Sequence, residues 1–537
     1  MKPRLRLLLT ILLLLVPLLL IISPNLTYVM VFEGSSWKKS LGRTIYFIFL
    51  FLMPLGLFQK KPRWYFYLIS PLFLLSLVVN YLYLHLNTTI KPEVIMVMLD
   101  SNASESSEFI TSVPVYCWLL AILASVLYFT CLGQLPKKIS ARSAWATSAI
   151  CGLLFFSFPA LRYGSANYAE NLYESTMYFF PFNIITHGRY ALSKESSFRA
   201  FNSNTKNFSF AATKKPLKEK EIHVLVIGES SRRDHWELYG YSRSTSPLLK
   251  ARKLLVFSDA TSAGYLTNMV VPIMLTRATA SNLDLHLREK GLVHAFREAQ
   301  FETYWINSQA GADSIYIHAN EGNHYLSPSI ATEGELPKLL LTLLAKEKKE
   351  KVFLVFHTSG SHWRYDLRYP DSFNIFKPSL KDQYGTDSDR SKLNLIVNAY
   401  DNTVLYTDYV LDGLIKILES MKSVSSLTYI SDHGENLLDD ERGLSLHNEA
   451  SKFTTGVPLL IWTSNSYQAT YPEKIRALSL NKNKKISTEN IFYSVLDLAD
   501  IKLRDGFSNR SFADKSFTEH ERFILTNDGL KPYIEVK

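Results

Sequence analysis

The chain has 537 residues, 47% of them hydrophobic, and a formal net charge of +10. This length exceeds that of one ordinary domain, and the apolar residues are concentrated before about residue 161. A positive net charge fits either an anionic membrane surface or nucleic acid as partner. The polar remainder contains no dense block of Lys and Arg with interleaved aromatic residues, so the sequence favours the membrane surface.

Five apolar stretches dominate the first part of the chain: 7–23, 44–58, 64–86, 113–132 and 144–161. A spanning helix needs about 20 apolar residues, which the second stretch does not reach. Basic residues precede the first stretch and follow the second and fourth ("QKKPR", "LPKKISARS"), so these segments are expected in the cytoplasm. We therefore predict a transmembrane domain of five helices over 1–161. An odd number of spans then places the rest of the chain outside, in the periplasm of a bacterium.

Residues 162–215 are first aromatic and then polar, which indicates an interfacial segment and a linker. Residues 216–537 have the composition of a separate domain. Three apolar runs in it end in polar residues: "IHVLVIGES", "KVFLVFHTSGSH" and "SSLTYISDHGEN". Runs that are apolar on both faces are typical of central strands in a parallel sheet, and helical candidates lie between them. The sequence predicts an α/β domain with a mainly parallel central sheet.

The three strand ends carry candidate metal ligands. Glu229 ends the first run, His357 and His362 follow the second, and Asp432 with His433 ends the third. One polar residue after a strand is usually a turn or a cap. Three such clusters indicate a metal site, because the carboxyl ends of parallel strands form the ligand-binding edge of an open α/β sheet. Carboxylates and imidazole suit zinc, manganese or iron.

A candidate nucleophile lies between the first two clusters. The small, polar turn "TSAGYLTN" precedes an apolar helical run and places Thr267 at a helix N-terminus. One alternative is an ordinary N-cap threonine. The other is a hydroxyl activated near the metal at the positive end of the helix, which attacks phosphorus and forms a covalent intermediate. In the third cluster, Gly434 is expected to permit a tight turn.

Four motifs resemble those of the phosphoethanolamine transferases of Gram-negative inner membranes: "IGESSRRDHWELYGYSRSTSP", "ATSAGYLTNMVVP", "FHTSGSHWRYDLRYP" and "SDHGEN" followed by "LSLH". The resemblance covers nearly the whole chain. It implies a five-helix transmembrane bundle and a periplasmic domain of the alkaline phosphatase/sulfatase fold. It also implies a catalytic zinc on Glu229, Thr267, Asp432 and His433, with Thr267 as the nucleophile. A second zinc, or manganese in place of zinc, stays open.

The resemblance assigns further roles. His362 and His447 match histidines that contact the phosphoethanolamine group or a second zinc, and as catalytic residues they can serve as acid and base. His357 is a weaker candidate for substrate binding, with closure of a strand as the alternative. In the acidic loop "DSNASESSEF", Ser101 and Glu105 match residues that bind the lipid headgroup, although a plain solvated loop is an alternative.

One departure from the family concerns the nucleophile loop. Many members brace it with a disulfide, but Ala263 and Ile273 occupy the equivalent positions here, and all three cysteines lie in the apolar stretches. Packing is therefore expected to hold the loop. The departure favours relatives that modify lipopolysaccharide core sugars or periplasmic glucans over the lipid A branch.

The implied reaction moves phosphoethanolamine from phosphatidylethanolamine through Thr267 to an envelope glycolipid or glycan. The protein is expected to be a monomer in the inner membrane. Two alternatives remain: a glycerol-phosphate transferase of the lipoteichoic-acid-synthase type, and an inactive membrane receptor with the same fold. A sulfatase is disfavoured, because no Cys/Ser-x-Pro-x-Arg sequence is present to supply a formylglycine.

Overall fold

The computed structural model describes residues 3–32, 37–86, 89–90, 94–95, 98, 103–163, 179–309, 313–328, 330–383, 390–507 and 509–536. The chain forms two compact units. One comprises Met1–Leu99 with Phe109–Ser193, and the other comprises Asp100–Glu108 with Lys194–Lys537.

The N-terminal part of the chain is helical. Its described helices are α1 (Pro3–Phe32), α2 (Trp37–Leu52), α3 (Pro62–His85), α4 (Ala103–Ser112), α5 (Val115–Gln134), α6 (Ala141–Tyr163) and α7 (Phe182–Asn204). Three of the described helices are long and apolar enough to cross a membrane: Thr10–Val31 within α1, Pro62–His85 and Val115–Gln134. A shorter apolar helix covers Ile45–Gly56. The first, third and fourth of the five predicted spans are thus confirmed as candidate membrane helices.

The second unit is built on a seven-stranded sheet in the order β2-β10-β7-β1-β6-β4-β5. Its strands are β1 (Glu221–Gly228), β2 (Leu255–Val256), β4 (Glu302–Asn307), β5 (His324–Leu326), β6 (Lys351–His357), β7 (Val424–Ser431) and β10 (Leu459–Thr463). β7, β1, β6, β4 and β5 are parallel, whereas β10 runs antiparallel to both β7 and β2. The prediction of a mainly parallel sheet is confirmed, with antiparallel pairing at one edge.

Shorter strands and helices surround this sheet. The strands form two-stranded pairs: β3 (Asp259–Thr261) with β11 (Lys485–Ser487), β8 (Asn436–Leu437) with β9 (Ser445–Leu446), and β12 (Phe523–Thr526) with β13 (Gly529–Pro532). The helices are α8 (Pro247–Lys250), α9 (Thr267–Leu275), α10 (Leu292–Glu298), α11 (Asp313–Ala319), α12 (Leu336–Lys346), α13 (Leu393–Ser420), α14 (Lys452–Thr455), α15 (Asn465–Thr470), α16 (Pro472–Asn481) and α17 (Ile491–Leu498).

The central strands end level with one another. Every residue of β1 and β7 is buried, as expected for central strands of a parallel sheet that is covered on both faces. Gly228 at the end of β1 pairs with Ser431 at the end of β7, and Ile227 pairs with His357 at the end of β6. The residues that follow these three adjacent strands therefore emerge together at one edge of the sheet.

Part of the predicted linker is packed against the second unit. Phe210 and Ala212 are buried in its main hydrophobic core. The backbone amides of both residues donate to the carboxylate of Glu298 in α10, at 3.1 and 2.8 Å. The packed part of this unit thus begins before residue 216.

Candidate active site

Three buried side chains meet at the carboxyl edge of the sheet. Glu229 directly follows β1, and Asp432 and His433 directly follow β7, the strand paired with β1. One ligand atom from each of the three residues lies within 4.8 Å of the other two. Nε2 of His433 is 3.4 Å from an oxygen of Glu229 and 3.4 Å from an oxygen of Asp432. The structure therefore brings together three of the five side chains that the strand ends offered as candidate metal ligands.

This set of side chains fits a divalent cation. Nδ1 of His433 lies 2.8 Å from the carbonyl oxygen of Gly434, which can only accept, so Nδ1 carries the proton and Nε2 presents a lone pair. Among the described residues, Oδ2 of Asp432 is buried and has no hydrogen-bond partner. Such an oxygen is unfavourable unless a cation or a proton satisfies it. Two carboxylates and one imidazole are ligands that zinc accepts.

The two carboxylates also repel each other. Burial, followed by the charge of Glu229, raises the pKa of Asp432 well above its usual value. Burial also opposes ionisation of Glu229, but the imidazole of His433 and two further imidazoles outweigh it and lower the pKa of Glu229. The pair therefore favours one ionised and one protonated carboxyl without a cation. A divalent cation between them would allow both to ionise.

The hydroxyl of Thr267 lies against this cluster. Thr267 is the first residue of α9, and its hydroxyl donates to Oε2 of Glu229 at 3.0 Å and lies 3.2 Å from Nε2 of His433. The N-cap position is occupied by Leu266, so the structure does not use Thr267 as an N-cap. The hydroxyl is thus at the positive end of a helix and beside the candidate ligands.

Two more histidines continue the cluster. The ring centroid of His447 lies 4.7 Å from that of His433 and 6.1 Å from that of His362. Both side chains are half-buried. Desolvation lowers the pKa of His362 to about 3, so its imidazole is neutral at neutral pH. The structure thus places these two rings beside the buried set, and both are less buried than Glu229, Asp432 and His433.

His357 has a different environment from the other predicted site residues. Its ring is buried at the end of β6, with Nδ1 3.2 Å from the side-chain oxygen of Asn307 and an edge-on contact with Trp305. Burial lowers its pKa to about 4. These contacts favour the alternative in which His357 only ends a strand and does not bind substrate.

The two predicted headgroup-binding residues lie elsewhere in the chain. Glu105 lies in α4, and Ser101 lies outside the described residues.

The loop after β7 is held by a buried arginine. The guanidinium of Arg232 pairs with Asp234 at 2.7 Å and Asp439 at 2.8 Å, and it stacks on the ring of Phe453 at 4.0 Å. Gly434 packs so tightly against the same segment that an added Cβ would lie 2.1 Å from the carbonyl oxygen of Phe453. Position 434 therefore requires glycine because the backbone of Phe453 approaches so closely. The sequence predicted this glycine for a tight turn and not for a close contact.

The loop after β6 is fixed by a carboxylate. Glu333 accepts hydrogen bonds from the backbone amides of Ser359 at 2.5 Å and Gly360 at 3.3 Å. Gly360 has a φ of +43°, and a Cβ there would lie 2.9 Å from the backbone oxygen of Glu229. The loop that carries His362 is thereby packed directly onto the residue after β1.

Sequence reasoning missed one side chain of this site. Gln309 follows β4 in the run "TYWINSQ", which also ends in polar residues, as the three runs used above do. Its amide Nε2 donates to Oε2 of Glu229 at 2.9 Å. The run that ends at Gln309 is therefore a fourth strand followed by polar residues, and the same pattern could have identified Gln309 as a candidate.

The comparison with protein families agrees with this geometry. The family model described as Sulfatase matches residues 222–501. The chain belongs to the sulfatase family. The matched segment contains Glu229, Thr267, Asp432 and His433.

Individual proteins similar to this chain include phosphoethanolamine transferases. Phosphoethanolamine transferase EptC from Escherichia coli O18:K1:H7 (strain RS218 / NMEC) is 26% identical over 528 residues, covering 92% of this chain and 89% of the relative. The crystal structure of the C-terminal periplasmic domain of E. coli EptC in complex with Zn has 27% identity and a TM-score of 0.54, covering 60% of this chain and 96% of that domain.

Another solved structure is similar to this chain over most of its length. The integral membrane lipooligosaccharide phosphoethanolamine transferase A (EptA) from Neisseria meningitidis has a TM-score of 0.72 and 22% identity, covering 94% of this chain and 96% of that one. The predictions of a transferase of the phosphoethanolamine type and of an integral membrane protein with a C-terminal periplasmic catalytic domain are confirmed by these relatives together.

Proposed function

We propose that the protein transfers phosphoethanolamine from phosphatidylethanolamine to an envelope glycolipid or glycan through a covalent intermediate on Thr267. The observation that carries this proposal is the position of the Thr267 hydroxyl, which is hydrogen-bonded to Glu229 at the N-terminus of α9 and lies beside His433. A hydroxyl fixed among buried carboxylates and imidazoles is the arrangement that nucleophilic phosphoryl transfer needs.

The residues divide the reaction into two displacements. The oxygen of Thr267 attacks phosphorus, the bond from phosphorus to the glycerol oxygen breaks, and diacylglycerol leaves with the proton that the hydroxyl gave up. A hydroxyl of the acceptor then attacks the same phosphorus, the bond from phosphorus to the oxygen of Thr267 breaks, and Thr267 takes up the proton that the acceptor hydroxyl loses. We assign the transfer of these protons to His362 and His447, because the ring centroid of His447 lies 4.7 Å from that of His433 and 6.1 Å from that of His362.

We assign Glu229, Thr267, Asp432 and His433 as the residues that would hold zinc. A bound zinc ion would supply Lewis-acid stabilisation of phosphoryl oxygens and would favour loss of the hydroxyl proton. The side chains themselves orient the nucleophile: Glu229 accepts the hydrogen bond from Thr267, and Gly434 fixes the tautomer of His433.

The proposal includes five spans, with the helix at Ile45–Gly56 and α6 added to the three long apolar helices. Five spans starting in the cytoplasm agree with a periplasmic C-terminal domain. A lipid donor also explains why a soluble-looking catalytic domain is joined to a membrane domain: the donor's phosphate lies at the bilayer surface.

The test is a transfer assay with the full-length protein in detergent. We expect phosphatidylethanolamine, and not phosphatidylglycerol, to release diacylglycerol and to leave one phosphoethanolamine group on the peptide that contains Thr267, detected by mass spectrometry. Thr267→Ala should abolish both signals while zinc binding, measured by metal analysis, remains. Labelling from phosphatidylglycerol instead would establish the glycerol-phosphate alternative, and no labelling from either lipid would overturn the proposal.

The acceptor is identified by a second measurement. Mass spectrometry of envelope glycolipids and glycans, with and without the protein, should show phosphoethanolamine on one species. Because Ala263 and Ile273 replace the disulfide of other family members, we propose a core sugar or a periplasmic glucan rather than lipid A.

A further inference from the structure

Gln309 lies between the end of β4 and the candidate metal ligands. Its side-chain Nε2 donates to Oε2 of Glu229 at 2.9 Å and also contacts the carbonyl oxygen of Thr358. The side-chain amide of Asn307 holds the backbone carbonyl of Gln309 at 2.6 Å. Gln309 is therefore a fixed donor that reaches the cluster from a neighbouring strand.

The carboxylate of Glu229 receives a different set of donors on each oxygen. Oε1 accepts a hydrogen bond from the hydroxyl of Ser230 at 2.6 Å. Oε2 accepts two, from the hydroxyl of Thr267 at 3.0 Å and from Gln309 at 2.9 Å. A buried carboxylate oxygen needs such donors, since it is separated from water.

The two donors on Oε2 differ in what happens to them during the reaction. This step rests on the proposed function: when the oxygen of Thr267 bonds phosphorus, it no longer carries a proton and cannot donate. The amide of Gln309 keeps its protons throughout. Among the described residues, Gln309 is then the side chain that still donates to Oε2 of Glu229.

We infer that Gln309 is a positioning residue that keeps the Glu229 carboxylate oriented as a metal ligand while Thr267 exchanges its proton for a phosphoryl group. Gln309 acts through Glu229 and does not touch the reacting phosphorus. Partners of metal ligands typically change metal affinity or activity by about 10- to 100-fold when they are removed.

The test replaces the amide without changing its size. Gln309→Met keeps the length of the side chain and removes the donor, whereas Gln309→Asn keeps the donor but withdraws it from Glu229. Gln468→Met is the matched control, because the exposed Gln468 also donates to a backbone carbonyl, that of Thr463 at 3.3 Å, in another part of the domain. All variants are measured in the full-length protein.

We expect both Gln309 variants to raise the zinc dissociation constant about 10- to 100-fold. They should also shift the visible absorption bands of the Co²⁺-loaded protein and lower kcat with little change in KM. The control should leave all three quantities and Tm unchanged. If Gln309→Met has a much lower Tm than the wild type, the zinc affinity and Co²⁺ spectrum of Gln309→Asn test the positioning role instead.

Two outcomes would overturn the inference. One is wild-type zinc affinity and an unchanged Co²⁺ spectrum in both variants, whatever their activity, because Gln309 would then not act through Glu229. The other is equal loss of affinity in the Gln468 control. If the wild-type protein transfers no phosphoethanolamine but the Gln309 variants still lose zinc affinity, the proposed function fails and the positioning role stands.

Discussion

Nδ1 of His447 lies 3.4 Å from a carboxylate oxygen of Glu435, a residue with no exposed side-chain surface. Glu435 is therefore placed to accept a hydrogen bond from Nδ1, which would fix the imidazole tautomer and leave the lone pair on Nε2. The ring centroid of His447 lies 4.7 Å from that of His433. A buried carboxylate beside a half-buried histidine orients the ring of that histidine.

Glu435→Gln tests this relationship, because the amide keeps the shape and removes the charge. We expect transfer by the full-length protein to fall about 10-fold or more, with zinc content unchanged. The exposed Glu441→Gln serves as control and should retain full activity. Normal turnover in Glu435→Gln would show that the carboxylate does not act on His447.

The sequence predicted the ligands of the candidate site better than their surroundings. Glu229, Asp432 and His433 could be located because a parallel sheet brings the ends of its strands to one edge, whatever the details of packing. The polar end of β4 could have indicated Gln309 as a candidate, but its contact with Glu229, like that of Glu435 with His447, depends on side-chain directions across loops, which no periodicity encodes. The sequence predicts Glu435 either behind the metal ligands or in the first turn of a helix, and the fold shows its carboxylate beside His447.

The same distinction applies to the fold. Long apolar runs identified three candidate membrane helices, and shorter apolar runs that end in polar residues identified the central strands. The antiparallel pairing of β10 and β2 at one edge of the sheet has no such signal, since both segments are short and their direction is set by the connections between them.

Asp432→Asn should change stability in opposite directions with and without zinc. Without metal, burial and the charge of Glu229 raise the pKa of Asp432, so folding costs free energy to protonate this carboxyl. The neutral amide removes that cost, so Tm should rise by about 2–4 °C for each kcal/mol relieved in a domain of ordinary size. With zinc in excess, the wild type gains binding free energy that the variant largely lacks, so the order of the two Tm values should reverse.

The measurement is a thermal melt of the full-length protein after chelation and after zinc addition. Asp371→Asn is the control, because the Asp371 side chain is 95% exposed and its pairing with Lys381 should contribute little. Equal zinc-induced stabilisation of the wild type and Asp432→Asn would remove Asp432 from the ligand set.

Gly434→Ala should damage the metal site through packing alone. The added Cβ would meet the carbonyl oxygen of Phe453 at 2.1 Å, so the loop that carries His433 must move. We expect a loss of about 1–3 kcal/mol in stability and weaker zinc binding. Gly188→Ala, in a helix where nothing lies within 4 Å of the new Cβ, should have no such effect. Wild-type zinc affinity in Gly434→Ala would contradict this account.

Ile273→Ala tests how the nucleophile loop is held. Ala263 and Ile273, which occupy the positions of the missing disulfide, are both fully buried in one small apolar cluster with Ala278 and Ala280. This apolar cluster is the packing that we expect to hold the loop. Ile273 lies in α9, six residues after Thr267, so a cavity there should loosen the helix that presents the nucleophile.

We expect Ile273→Ala to lower the free energy of unfolding by about 2–5 kcal/mol and Ile273→Val by about 0.5–1.5 kcal/mol, in proportion to the cavity each leaves. The effect on kcat should exceed the effect on zinc affinity, because the ligands from β1 and β7 lie on other elements. Ile375→Ala, at a side chain that is 60% exposed, should change stability by no more than about 0.5 kcal/mol. Thermal melts of the three variants, combined with transfer rates, separate these effects. A Tm for Ile273→Ala equal to that of Ile375→Ala would show that the cluster does not brace the loop.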